Sequence, residues 1–306
     1  MSPIRYNRND HDASSIVVLR QTKPGVCGGT DATLDTAAPK TIISRDMTLF
    51  STTSALHGDG RSLGFVSAFA VGAGEGTFLF LETGNSFRYR DEKQRIIGVV
   101  KENPFPALVE LARDCDLAKD NGFHSTTHGL GENYGGEIDV WYASGETISV
   151  SNNQSPVLTD ESGEKIAALF RNLLQGPTVP QPDPAQLQAI RLREERPNGS
   201  FTTVDMTVTP DGALLRRHYH PENGHDSDTA GTLTTDELSA IRGIMERCAI
   251  PAWADLPDDG FPHREKRTLT FTFADGKEIT GSDDRLLPQQ FCDAFFDIRR
   301  PLTSHT

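Results

Sequence analysis

Cysteine is scarce in this 306-residue chain, and positive charge is in deficit. The four cysteines, at positions 27, 115, 248 and 292, are dispersed and form no CxxC pair, so neither a disulfide framework nor a thiol metal knuckle is expected. Cys115, Cys248 and Cys292 read as small buried hydrophobes on helix faces, and Cys27 sits in a glycine-rich loop. This usage fits a reducing compartment, and a cytoplasmic location is expected. The 30 Lys and Arg are outnumbered by 43 Asp and Glu, a net charge of −13, which argues against a nucleic-acid partner. No apolar run approaches the ~18 to 20 residues that cross a bilayer, and the region before Lys40 has no long apolar stretch of the signal type, so no membrane partner is expected. No GxxxxGK[ST] motif occurs. The glycines at 72, 74 and 76 and at 129 and 131 lead into strand patterns, whereas a phosphate cradle needs a helix N-terminus.

What is present is a repeat. A shift of 133 places Phe105, Leu108, Leu111, Ala112 and Cys115 over Leu238, Ile241, Ile244, Met245 and Cys248, all apolar and at helical spacing. A shift of 131 places Ile138, Val140, Tyr142 and Gly145 over Leu269, Phe271, Phe273 and Gly276, a β-hairpin written twice. A shift of 125 pairs two closing helices through Ile166, Phe170 and Leu173 with Phe291, Phe295 and Ile298. Upstream lie further extended pairs, Thr77 to Leu81 with Phe87 to Tyr89, and Thr202 to Thr209 with Leu214 to Tyr219. An earlier strand is expected around Thr41 to Phe50, and Leu187 to Leu192 reads either as a strand or as a short helix.

The expected fold class is therefore α+β: a tandem duplication of a small antiparallel sheet of four or five strands, each with two helices packed on one face. Residues 1–40 are expected to be an irregular extension, 41–175 the first unit and 187–306 the second, joined by a proline-rich linker at 176–186.

Chemistry concentrates in one stretch. His218 and His220 share a strand face, and His225, Asp226 and Asp228 follow, a set that would suit a divalent transition metal. A metal-dependent hydrolase there would use Glu222 as its base. Asp226 to Glu237 also fits a calcium loop except at its fifth position, where Ala230 supplies no oxygen, so Asp226, Asp228 and Glu237 outline a weak calcium site. The same Thr234 and Glu237 spell a helix capping box. Zinc or calcium is thus the only cofactor suggested. Gly60-Arg-Ser62-Leu-Gly64 matches a nucleophile-elbow pattern without the required strand-turn-helix context. His124 and His128 read as loop residues. Trp253, Phe261 and His263, in a proline-containing insertion, form either a recognition surface or a lid on the core. The leading expectation is a non-catalytic binding or scaffold protein with a protein or small-molecule partner; the metal hydrolase and the calcium module are its alternatives.

Overall fold

A computed structural model describes residues 44–57, 63–85, 93–127, 135–259 and 265–305. In chain order the first half forms β1 (Met47–His57), β2 (Leu63–Ala73), β3 (Gly76–Gly84), β4 (Lys93–Val100), α1 (Phe105–Asp114), β5 (His124–Ser125), β6 (Gly136–Tyr142), β7 (Thr147–Asn152) and α2 (Asp160–Leu174). The second half forms β8 (Leu187–Glu195), β9 (Phe201–Thr209), β10 (Gly212–His220), β11 (Ser227–Leu233), α3 (Thr235–Cys248), a 3-10 turn at Ile250–Asp255, β12 (Lys266–Phe273), β13 (Glu278–Ser282) and α4 (Gln289–Ser304). The protein is α+β, but its sheets are larger than the four or five strands expected. One has seven strands in the order β4-β3-β2-β1-β6-β7-β5, and the other six in the order β11-β10-β9-β8-β12-β13. All pairings are antiparallel except the short β5 against β7.

Apart from β5, the two orders are the same when read strand for strand. The helices also occupy the same places, after the fourth strand and after the last. The hairpin turns match atom for atom. Gly145 and Gly276 take φ of +88° and +81°, and each donates its N–H at 2.9 Å to the carbonyl of Tyr142 or Phe273. That left-handed conformation is open to glycine at little steric cost, which explains the glycine at both positions. The residue after each strand, Ala143 or Ala274, donates to the carbonyl just before the unit's first strand, Asp46 or Gln186, at 3.0 and 2.9 Å. One pairing read from the sequence is corrected. By sheet position β3 corresponds to β10, so Thr77 to Leu81 aligns with Leu214 to Tyr219 rather than with 202–209. Neighbouring strands of one sheet share the same alternation, so pattern alone permits a slip of one strand. Residues 87–89 lie outside the described residues, as do the irregular extension expected at 1–40 and Cys27.

Hydrophobic pattern explains the layering. In the second sheet the strands alternate: in β8 Leu187, Ile190 and Leu192 are buried while Gln188, Arg191 and Glu195 are exposed, as suits a sheet covered on one side. In the first sheet β2 and β3 are apolar on both faces. Val66, Ala68, Ala70, Leu79 and Leu81 face α1 and α2, while Phe69, Val71, Phe78 and Phe80 join a core shared with the second half. That shared core contains Ile241 and Met245 of α3, Trp253 of the 3-10 turn, and Phe291 and Phe295 of α4. The layers therefore run α1 and α2, first sheet, α3 and α4, second sheet. The two halves of the chain stack with α3 and α4 against the first sheet, and the outer face of the second sheet carries the polar residues.

Candidate functional site

Two places on this frame collect chemistry. The first is the outer face of β10 and β11, where the sequence pointed. His218 and His220, two residues apart on β10, point the same way, and β11 lies directly beside them with His218 opposite Asp228. His218 Nδ1 meets Asp228 Oδ1 at 2.8 Å, and His220 Nδ1 meets Asp226 Oδ1 at 2.8 Å. Asp226 also reaches His218 Nε2 at 3.6 Å, so a single carboxylate serves both imidazoles. The Phe201 ring stacks on His220 with centroids 4.9 Å apart, and the Arg193 guanidinium lies over the Phe201 ring, 4.1 Å from its centroid. Hydrogen bonding, cation–π attraction and stacking thus hold this exposed set in place.

The structure does not bring the remaining metal candidates to it. His225 and Glu222 are exposed in the turn between the strands. Asp226 to Leu233 is not a loop: from Ser227 it is the edge strand β11, seven residues long and therefore about 20 Å from end to end. Glu237 lies beyond that strand, in the first turn of α3. There its carboxylate accepts from the Thr234 N–H at 2.9 Å, while Thr234 Oγ1 accepts from the Glu237 N–H at 3.3 Å, a complete capping box. His305 Nε2 closes on the same carboxylate at 2.9 Å. Among the described residues, no three His, Cys, Asp or Glu side chains are grouped so as to hold a metal ion.

Of the two readings of Trp253, a recognition surface or a lid on the core, its burial agrees with the second. It is fully buried, 6.0 Å from the Phe291 ring and stacked at 6.3 Å on Phe295, so it fills the core between the sheets. Its aromatic neighbours come from α4, about 40 residues downstream, and no local pattern announces them. Phe261 and His263, the residues expected to accompany it, lie outside the described residues, as do Gly60, Ser62, His128, Gly129 and Gly131. His124 lies on β5 with its Nδ1 2.9 Å from Ser151 Oγ.

The second place is a groove that sequence reasoning missed. It has a volume of about 680 Å³ and is lined by Lys93 to Ile97 of β4, by Arg171, Leu174 and Gln175 at the end of α2, and by Glu246 and Arg247 at the end of α3. Both halves of the chain build it, where the free side of β4 meets the C-terminal ends of two helices. An arginine in a last helical turn is favoured by the helix dipole, which accounts for Arg171 and Arg247 locally. Beneath them Glu82, fully buried, is flanked by Lys93 Nζ and Arg95 Nη2, each 3.3 Å from its Oε1. Arg171 and Arg247 form no ion pair among the described residues. Four cations thus line the groove against Glu246 in its lining and Glu82 beneath it, which pairs with Lys93 and Arg95 and leaves Arg171 and Arg247 to a ligand, in a chain whose net charge is −13. The only sequence signal was the run of basic residues at Lys93 and Arg95, which by itself reads as a solvated strand edge.

Comparison with protein-family models and with curated proteins finds no match for this chain. No helix among the described residues is long and apolar enough to cross a membrane.

Proposed function

We propose that this chain is a non-catalytic binding protein whose ligand is anionic and whose binding site is the groove between its two units. The observation that carries this reading is the surplus of cations at Lys93, Arg95, Arg171 and Arg247 in a chain that is otherwise acidic. Cations gathered on a concave surface recruit carboxylates or phosphates, and the surrounding negative charge repels the same ligands elsewhere. The repeat has a part in this: a duplicated unit stacked on its copy creates a junction that a single copy lacks. We infer the duplication from the shared strand order together with the paired hairpin turns.

The test is amide shift mapping by NMR with citrate, inorganic pyrophosphate and hexaglutamate. Shifts gathered on 93–97, 171 and 247, and lost in an Arg171→Glu, Arg247→Glu double variant, are the expected result. Shifts gathered on 218–228 instead, or none with any of the three anions, would overturn it.

A metal-dependent hydrolase draws its support from Asp226, which engages both His218 and His220. One equivalent of zinc kept through purification without chelator, and lost in both His218→Ala and Asp226→Ala, would favour that reading over the groove. The calcium module has less support, because Glu237 lies past the far end of β11 from Asp226 and Asp228.

A further inference from the structure

The groove runs along a strand edge, and that edge is the feature of interest. Among the described residues, β4 has β3 on one side in the seven-stranded sheet and no strand on the other. An edge strand exposes its N–H and C=O groups on alternate residues, ready to receive another strand. The molecule already uses part of this edge. Just after α2 the chain returns alongside the end of β4: Lys101 donates to the Pro177 carbonyl at 3.1 Å, and Val179 donates to the Val99 carbonyl at 2.6 Å. Thr178 sits opposite Val100 in antiparallel register. Proline lacks an N–H but keeps its carbonyl, so the proline-rich linker still makes two ladder bonds. Since Val99 and Lys101 direct their backbone groups outward, the two-residue period directs those of Lys93, Arg95 and Ile97 outward as well. These are the residues that line the groove.

We infer that the open edge of β4 from Lys93 to Ile97 takes up an extended acidic segment of a partner protein as an added β-strand. This rests on the groove being the binding site. Backbone hydrogen bonds would supply pairing, and the flanking side chains would select the sequence. An added strand presents its side chains alternately to the two walls. One wall carries Arg171 of α2 and the other Arg247 of α3, so acidic residues of either parity meet a guanidinium. The cations also argue against a second copy of the chain as occupant, because pairing two β4 edges would set Lys93 and Arg95 against their own kind, which is destabilising.

The test uses the full chain and a capped peptide eight residues long, the length of β4, alternating valine with glutamate. Binding is read by fluorescence anisotropy. Two N-methylated forms are compared, one methylated on the odd residues and one on the even. Only residues of one parity donate to β4, so one form should bind at least about tenfold more weakly than the other. The lysine-for-glutamate peptide should bind at least about tenfold more weakly, as should the parent peptide to the Arg171→Glu, Arg247→Glu variant, whose thermal midpoint is measured alongside. Equal loss in both N-methylated forms, or none in either, would overturn strand addition while leaving an anion site intact. Binding of citrate or pyrophosphate but not of the peptide would do the same. Concentration-dependent dimerisation by light scattering, abolished by the charge reversals, would replace the partner segment with a second copy. If no anion binds, the groove reading itself fails.

Discussion

The rings of Phe80 on β3 and Phe291 on α4 meet edge to face, with centroids 5.3 Å apart and planes at 83°. They belong to different units, and Phe78 and Trp253 complete the cluster around Phe291 at 5.8 and 6.0 Å. Phe291 is fully buried. Its replacement by alanine removes a ring from the shared core and should cost about 3 to 5 kcal/mol. Urea unfolding of Phe291→Ala measures this. Because one core joins the two sheets, unfolding followed by far-ultraviolet dichroism and by tryptophan fluorescence should give coincident midpoints.

The capping box at the start of α3 predicts both a magnitude and a pH dependence. Thr234→Ala should destabilise the protein by about 1 kcal/mol. The Glu237 carboxyl is held below its ordinary value of 4.5, first by the bond from the Thr234 backbone, then by the Thr234 hydroxyl, with His305 adding to them. A depressed carboxylate stabilises the fold above its ordinary value, and that contribution is lost as pH falls through the lower folded value. The difference in melting temperature between the parent chain and Glu237→Gln should therefore be constant above about pH 5 and shrink below it.

At the alkaline end the relevant group is Tyr142. Burial, then Glu146 and Asp46, pushes its phenol from 10.0 to about 12. The folded state favours the neutral phenol, so this contribution is complete below pH 10 and disappears as pH rises toward 12. The stability difference between the parent and Tyr142→Phe should be constant below about pH 10 and move against the parent as pH rises toward 12, read by thermal melts. An absorbance titration of the parent should contain one phenol that ionises late.

Gly231 lies in β11 where the end of the chain crosses it, and a Cβ there would collide with the His305 carbonyl. Gly231→Ala should lower stability, and deleting residues 305 and 306 should recover part of that loss. Independent effects in a double-mutant cycle would contradict the contact.

The two groups of candidate residues differ in how far a sequence can expose them. His218 and His220 share a face because a strand has a period of two, so their convergence was readable, and Thr234 with Glu237 was readable as a cap. That Asp226 to Leu233 would be a strand was not, because Ala230 and Gly231 carry weak strand preference and pair only through the neighbouring β10. The groove was invisible for a similar reason: Lys93, Arg171 and Arg247 lie far apart in the chain, and nothing local relates them.

The sequence by itself determined the α+β class, the paired hairpins with their glycine turns, the capping box of α3 and the apolar faces of the four helices. These depend on periodicity and on neighbours a few residues away. Tertiary structure decided what covers each face. The apolar runs from Phe65 to Val71, interrupted only by Ser67, and from Phe78 to Leu81 required cover on both sides, but a pattern of burial does not name its partner. Only the fold put α3, α4 and Trp253 against the first sheet. That same stacking set Arg171 and Arg247 on either side of the β4 edge that carries Lys93 and Arg95, because contacts between distant segments follow from shape and packing.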